Sequence, residues 1–161
     1  MKYIEIKILL IFSLLFSSLL YADGGDKKVK LLGNTKENAP KQITIKEIEK
    51  LGITTKEIYN PYEKRSDLYG GVLFDKFVKK YAKKSVKSVT LIAIDDYQVV
   101  IPKSEWSTKK VMLSTRMNGK YMSTRSKGPL RIVYPDYDSQ KKEYQTNLSN
   151  WIWMIKKIEF N

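Results

Sequence analysis

Val86-Lys87-Ser88-Val89-Thr90-Leu91-Ile92-Ala93-Ile94-Asp95-Asp96-Tyr97-Gln98-Val99-Val100-Ile101-Pro102 is the stretch that decides the fold. Val86 to Ile94 reads as a strand, and Leu91 to Ile94 is apolar at every position, as in a strand buried on both faces. Tyr97 to Ile101 reads as a second strand, with Tyr97, Val99 and Ile101 on one side. Only Asp95 and Asp96 separate the two. Aspartate tolerates the left-handed backbone of a tight hairpin, so the strands are expected to pair antiparallel with no helix between them.

Upstream, Thr44-Ile45-Lys46-Glu47 has the form of a capping box, a hydroxyl and a carboxylate three residues apart. It predicts a helix over Ile45 to Leu51 that stops at Gly52. Ile53 to Tyr59 reads as a strand closed by Asn60-Pro61. Gly70-Gly71 precedes a second helix, where Phe74, Phe77, Val78 and Tyr81 recur at i, i+3, i+4 and i+7 and make one core stripe. Downstream, Ser104-Glu105-Trp106 begins a short helical turn. Val111 to Met117 is a strand turning at Asn118-Gly119, and Leu130 to Tyr134 is another, with Arg131 expected to point outward. Asp136 to Asn147 is read as a polar loop, Leu148 to Ile155 as a short helix and Lys157 to Phe160 as a closing strand. Strands and short helices that do not strictly alternate indicate α+β.

The first 22 residues have the pattern of a secretory signal peptide: lysines at 2 and 7, an apolar run from Ile8 to Leu20, and a small residue at Ala22. The run is shorter than the ~20 residues a spanning helix needs. An exported, periplasmic protein that is soluble after cleavage is therefore expected. Residues 23–42 are polar and read as a flexible lead-in with one short strand at Val29 to Leu32. Residues 43–161 make one domain.

The net charge is +13, with neither cysteine nor histidine. Disulfides, lipoprotein acylation, Ser-His-Asp and Cys-His catalysis, and thiolate or imidazole zinc sites are excluded by composition. No Gly-rich phosphate loop is present. Asp136, Asp138 and Glu143 lack the spacing of a calcium loop. The lysines spread over the chain read as a solvated surface, and nucleic acid is not an expected partner of an exported chain.

Several blocks recur in a characteristic order: Leu68-Tyr69-Gly70-Gly71-Val72-Leu73, Ala93-Ile94-Asp95-Asp96-Tyr97 with Val100-Ile101-Pro102, Met117-Asn118-Gly119-Lys120, Lys127-Gly128-Pro129-Leu130-Arg131-Ile132-Val133-Tyr134-Pro135, and Trp151 to Glu159. This series resembles the sulfite-oxidase-type molybdopterin-binding domain, above all its small exported versions. The resemblance implies a mixed-sheet, barrel-like core with short helices, and a pocket for a pterin or molybdopterin. Catalytic members hold molybdenum through a cysteine thiolate, which this chain cannot supply, so no protein-ligated metal is expected. Cysteine-free exported relatives imply a non-catalytic pterin binder that acts as the sensory partner of a membrane signalling protein. The alternative is an oxidoreductase subunit whose molybdenum is held by cofactor atoms and oxygen ligands. A third reading is a scaffold whose basic surface meets an acidic protein or a membrane.

A pterin needs an aromatic face, an acceptor opposite its amino group and donors opposite its carbonyl. The candidates are Tyr97, Trp106 and Tyr121 as faces, Asp95 and Asp96 as acceptors, and Arg116, Asn118 and Arg125 as donors, with the two arginines bracketing the hairpin. Each has a structural alternative: Trp106 as a core cap, the aspartates as turn formers, Arg116 in a cross-strand ion pair.

Overall fold

The computed structural model describes residues 24–161; the expected signal peptide lies outside them. The strands, in chain order, are β1 (Lys28–Gly33), β2 (Gln42–Thr44), β3 (Thr54–Asn60), β4 (Arg65–Leu73), β5 (Ser88–Ala93), β6 (Gln98–Pro102), β7 (Met112–Met117), β8 (Lys120–Tyr121), β9 (Arg131–Val133) and β10 (Ile155–Phe160). The helices are α1 (Ile45–Glu49), α2 (Phe74–Tyr81), α3 (Lys103–Thr108) and α4 (Lys142–Gln145). The fold is α+β.

One sheet has the order β2-β1-β10-β5-β6, and the other runs β3-β4-β7-β8 with β9 also paired to β7. Among the described residues, only β1 and β10 run parallel. The barrel-like core expected from the resemblance is not formed. Among the described residues both sheets are open: β6 pairs only with β5 and leads directly into α3, and β3 pairs only with β4, so no ladder joins the ends. A single apolar core nonetheless draws on both sheets, with Val29, Leu91 and Ile158 from one and Val72, Leu113 and Ile132 from the other.

Local chemistry explains the elements. The Thr44 side chain accepts from the Glu47 amide while the Glu47 carboxylate accepts from the Thr44 amide, so the capping box fixes where α1 starts. α2 buries Phe74, Phe77, Val78 and Tyr81, the stripe read from its spacing. Each large aromatic removed from water contributes about 2 kcal/mol. Gly70 and Gly71, which precede α2 as read from the sequence, lie inside β4 at a register irregularity. A Cβ on Gly71 would stand 2.4 Å from the Leu113 carbonyl oxygen, so glycine is what lets β7 approach. Asn118 (φ 51°) and Gly119 (φ 78°) make the left-handed pair that returns β7 into β8.

The short strand expected at Val29 to Leu32 is present as β1, and it is bonded on both sides with Val29 and Leu31 buried, so this part of the lead-in belongs to the sheet. Two segments differ from expectation. Leu148 to Ile155 is not a helix; a single 3-10 turn spans Leu148–Asn150, Trp153 forms an isolated bridge with Arg131, and β10 starts at Ile155. The polar loop after Pro135 contains α4, anchored by buried Tyr144.

Candidate functional site

Two neighbouring depressions lie where the turn after β3, the β5–β6 hairpin, the loop after β8 and the segment before β10 converge. The first is an aromatic slot of about 340 Å³, lined by Tyr62, Tyr97, Trp151 and Trp153 with Asp95 and Ser149. The second is a cationic depression of about 540 Å³, whose charged lining is Arg65, Arg125, Lys127 and Glu63. Both volumes lie in the range of small-molecule sites. They share a wall: Lys127 Nζ, which lines the depression, rests 4.6 Å from the ring centroid of Trp153, which lines the slot.

The slot is rigidly framed. Tyr62 meets Trp153 edge-on at 5.6 Å, and its hydroxyl donates to the Leu148 carbonyl at 2.7 Å. Burial, then the nearby Tyr97 and Tyr137, push the Tyr62 hydroxyl above its ordinary pKa, so it stays a neutral donor. Trp151 packs on Tyr134 and Tyr137 at 5.6 and 5.5 Å. The Asp95 carboxylate accepts from the Tyr97 amide at 3.2 Å, a short turn that swings Tyr97 outward. Tyr97 is half exposed and lines the slot, whereas Val99 and Ile101, with which the strand pattern had put it on one side, are buried. The positive φ at Asp96 (65°) breaks the alternation before β6 begins at Gln98.

The depression is organised by one carboxylate. Glu63 receives Lys127 Nζ at 3.1 Å, Arg131 Nη1 at 3.2 Å and Arg65 Nη2 at 3.4 Å. Burial pushes the Glu63 carboxyl up, but Lys127 and Arg131 outweigh it and hold it below its ordinary value. Arg131 is completely buried beneath, its guanidinium carbon 5.3 Å from the Tyr69 ring centroid, and its Nε and Nη2 have no hydrogen-bond partner among the described residues. Such a charge is only partly compensated. Arg125 is exposed, with no ion-pair partner among the described residues. Arg65 is steered by Asp67 (2.8 Å), and Asp67 in turn accepts from Asn118 Nδ2 at 3.0 Å.

The residues expected to bind are thus divided. Asp95 and Tyr97 line the slot, and Arg125 lines the depression beyond the Lys127–Trp153 wall. Asp96 points to solvent and pairs with Lys156 at 2.9 Å. Trp106 is a buried core residue, edge-on to Phe74 at 5.8 Å. Asn118 is occupied by Asp67 and the Leu68 amide and acts on the depression only through Asp67. Arg116 is gripped by Glu49, with Nε 2.8 Å and Nη2 3.0 Å from its carboxylate oxygens, and stacks 3.8 Å from the Tyr121 ring centroid. The outward reading of Arg131 is overturned, because Leu130 to Tyr134 is buried at every position. Tyr62, Glu63, Arg65, Lys127, Trp151 and Trp153 are the site residues that sequence reasoning missed. The Trp151-x-Trp153 pair was the one visible signal, two indoles in a short segment.

No protein-family model and no curated protein matches the sequence. Among solved structures, the fold is similar to the sulfane dehydrogenase SoxCD from Paracoccus pantotrophus, with a TM-score of 0.61 and 14% identity over 88% of this chain. The match covers 39% of that chain. At this identity the likeness shows the fold.

Among the described residues, no three acidic side chains converge as a metal site, and no helix is long and apolar enough to cross a membrane.

Proposed function

We propose that this chain binds a pterin-type heterocycle with an anionic side chain, as a non-catalytic module of an exported protein. The observation that carries the reading is the juxtaposition of the slot and the depression across the Lys127–Trp153 wall. Tyr and Trp faces stack a flat bicycle. The Asp95 carboxylate suits an exocyclic amino group, and the Tyr62 and Ser149 hydroxyls suit ring acceptors. Arg65, Arg125 and Lys127, with Arg131 beneath them, suit a phosphate, which arginine meets with two parallel donors. Support also comes from the fold, shared with a dehydrogenase, and from the sequence blocks that resemble molybdopterin-binding domains.

The donor set fits the organic part of molybdopterin and not a thiolate-ligated metal, since the sequence holds no cysteine. The leader pattern supports export. A sensory role toward a membrane signalling protein rests on the resemblance, with occupancy shifting the loops around the slot between pre-existing conformations.

Calorimetry with a reduced pterin and its side-chain phosphate tests the reading. Binding of both, tighter for the phosphate, is expected, together with quenching of tryptophan fluorescence. Trp153→Ala should weaken both ligands by about tenfold or more, from the ~1–3 kcal/mol of a stacked base. Arg125→Ala should weaken only the phosphorylated one. Absence of heat and of any thermal shift with either ligand sinks the proposal.

A further inference from the structure

A third concavity, of about 580 Å³, lies between α2 and α3 and shares no lining residue with the slot or the depression. Its rim carries Lys36, Lys79, Lys83, Lys84 and Lys103 against a single carboxylate, Asp75. Asp75 is already paired with Lys79 at 2.7 Å, and the Lys36 amine donates to the Lys79 carbonyl. Lys83, Lys84 and Lys103 are exposed and have no side-chain partner among the described residues. Three unpaired cations at the mouth of one groove repel each other and favour an anionic occupant.

The floor is apolar: Val78, Ala82, Val86 and Trp106, recessed so that Trp106 is 5% exposed. A polyphosphate gains nothing from such a floor. A flat bilayer surface reaches the lysine tips and not the recess. A peptide chain with carboxylates on either side of one protruding apolar side chain meets both. We infer that the α2–α3 groove docks an acidic peptide segment of a partner protein, with one apolar anchor residue seated over Trp106. This goes beyond the pterin reading and does not depend on it.

The test uses the full chain and a fluorescently labelled peptide of Asp and Glu with one central Phe, followed by anisotropy at low ionic strength. The comparison peptide has Ser in place of Phe, and a phosphatidylglycerol vesicle serves as the lipid probe. The triple variant Lys83→Glu, Lys84→Glu, Lys103→Glu should weaken the Phe peptide by about tenfold or more, with unchanged melting, because those side chains hold nothing in the fold. The matched triple variant Lys30→Glu, Lys50→Glu, Lys120→Glu has the same net charge and should bind within about threefold of wild type. The Ser peptide should bind several-fold more weakly than the Phe peptide. Equal loss in both triple variants, equal binding of the two peptides, or no binding of the Phe peptide overturns the inference. So does vesicle binding with the same three-lysine dependence, which would make the groove a lipid site.

Discussion

Removing the Glu49 carboxylate should cost the fold about 3 kcal/mol and leave the ligand site intact. Four donors converge on that group: Arg116 Nε (2.8 Å) and Nη2 (3.0 Å), the Thr115 hydroxyl (2.7 Å) and the Tyr121 hydroxyl (2.8 Å). A hydrogen bond to a charged group contributes about 1.5–3 kcal/mol, and a paired Arg fork lies at the strong end. The Arg116 side chain is 29% exposed, so water recovers part of what is lost. Allowing for that, Glu49→Ala loses about 3 kcal/mol, a fall of roughly 10 °C in Tm for a domain of this size. In a double-mutant cycle with Arg116→Ala, measured by urea denaturation, the coupling should be about 2 kcal/mol. The Arg116 fork and the Thr115 and Tyr121 hydroxyls outweigh burial and hold the Glu49 carboxyl below its ordinary 4.5. Its folded pKa is thus lower than its unfolded pKa, so the contribution is present above about pH 4.5 and fades as pH falls through the folded value. The gap between wild type and Glu49→Gln should close in that acid window. Arg116→Ala should leave pterin affinity within about twofold, because the guanidinium is committed to Glu49. A coupling below about 0.5 kcal/mol, or a tenfold affinity loss in Arg116→Ala with unchanged Tm, would refute the reasoning.

Three other outcomes are expected. Glu63→Gln should raise the affinity of a phosphorylated pterin several-fold in calorimetry, by removing a negative charge from the depression, while lowering stability by about 2–3 kcal/mol because buried Arg131 loses its counter-charge. Gly71→Ala should destabilise by about 3 kcal/mol, since its Cβ would meet Leu113 and Ser114 backbone; Gly119→Ala, with open space and φ 78°, should cost about 1–2 kcal/mol by thermal melts. Glu105 accepts from the Tyr134 hydroxyl and from Asn150 Nδ2 in a buried cluster, so Glu105→Ala should lose about 3 kcal/mol in urea denaturation and Tyr134→Phe about half of that.

What could be read in advance was local. The Thr44–Glu47 box, the α2 stripe and the Asn118-Gly119 turn are each determined within a few residues, and the structure has all three. Arg116 and Arg131 could not be assigned that way. Their carboxylate partners, Glu49 and Glu63, lie 67 and 68 residues away in sequence, and only the sheet order brings them together. Alternation misled twice for one physical reason each. At Tyr97 the left-handed Asp96 resets the strand phase before β6 begins. At Arg131 the strand is buried on both faces, so period two carries no inside-outside signal. Trp153 was visible, but its partner Lys127 belongs to another segment, and with it the division into slot and depression.

The parallel pairing of β1 with β10 constrains the order of assembly. β10 is the middle strand of its sheet, so β1 and β5 both lack their inner neighbour until Ile155–Phe160 is available. The β3–β4 and β5–β6 hairpins can close early, but the sheet that holds β1 and β5 cannot zip until Ile155–Phe160 is in place. Pairing across so long a loop is slow to find. During that interval the unpaired edges of β1 and β5 are open to other chains, a window in which a holding chaperone would raise the yield of folded protein.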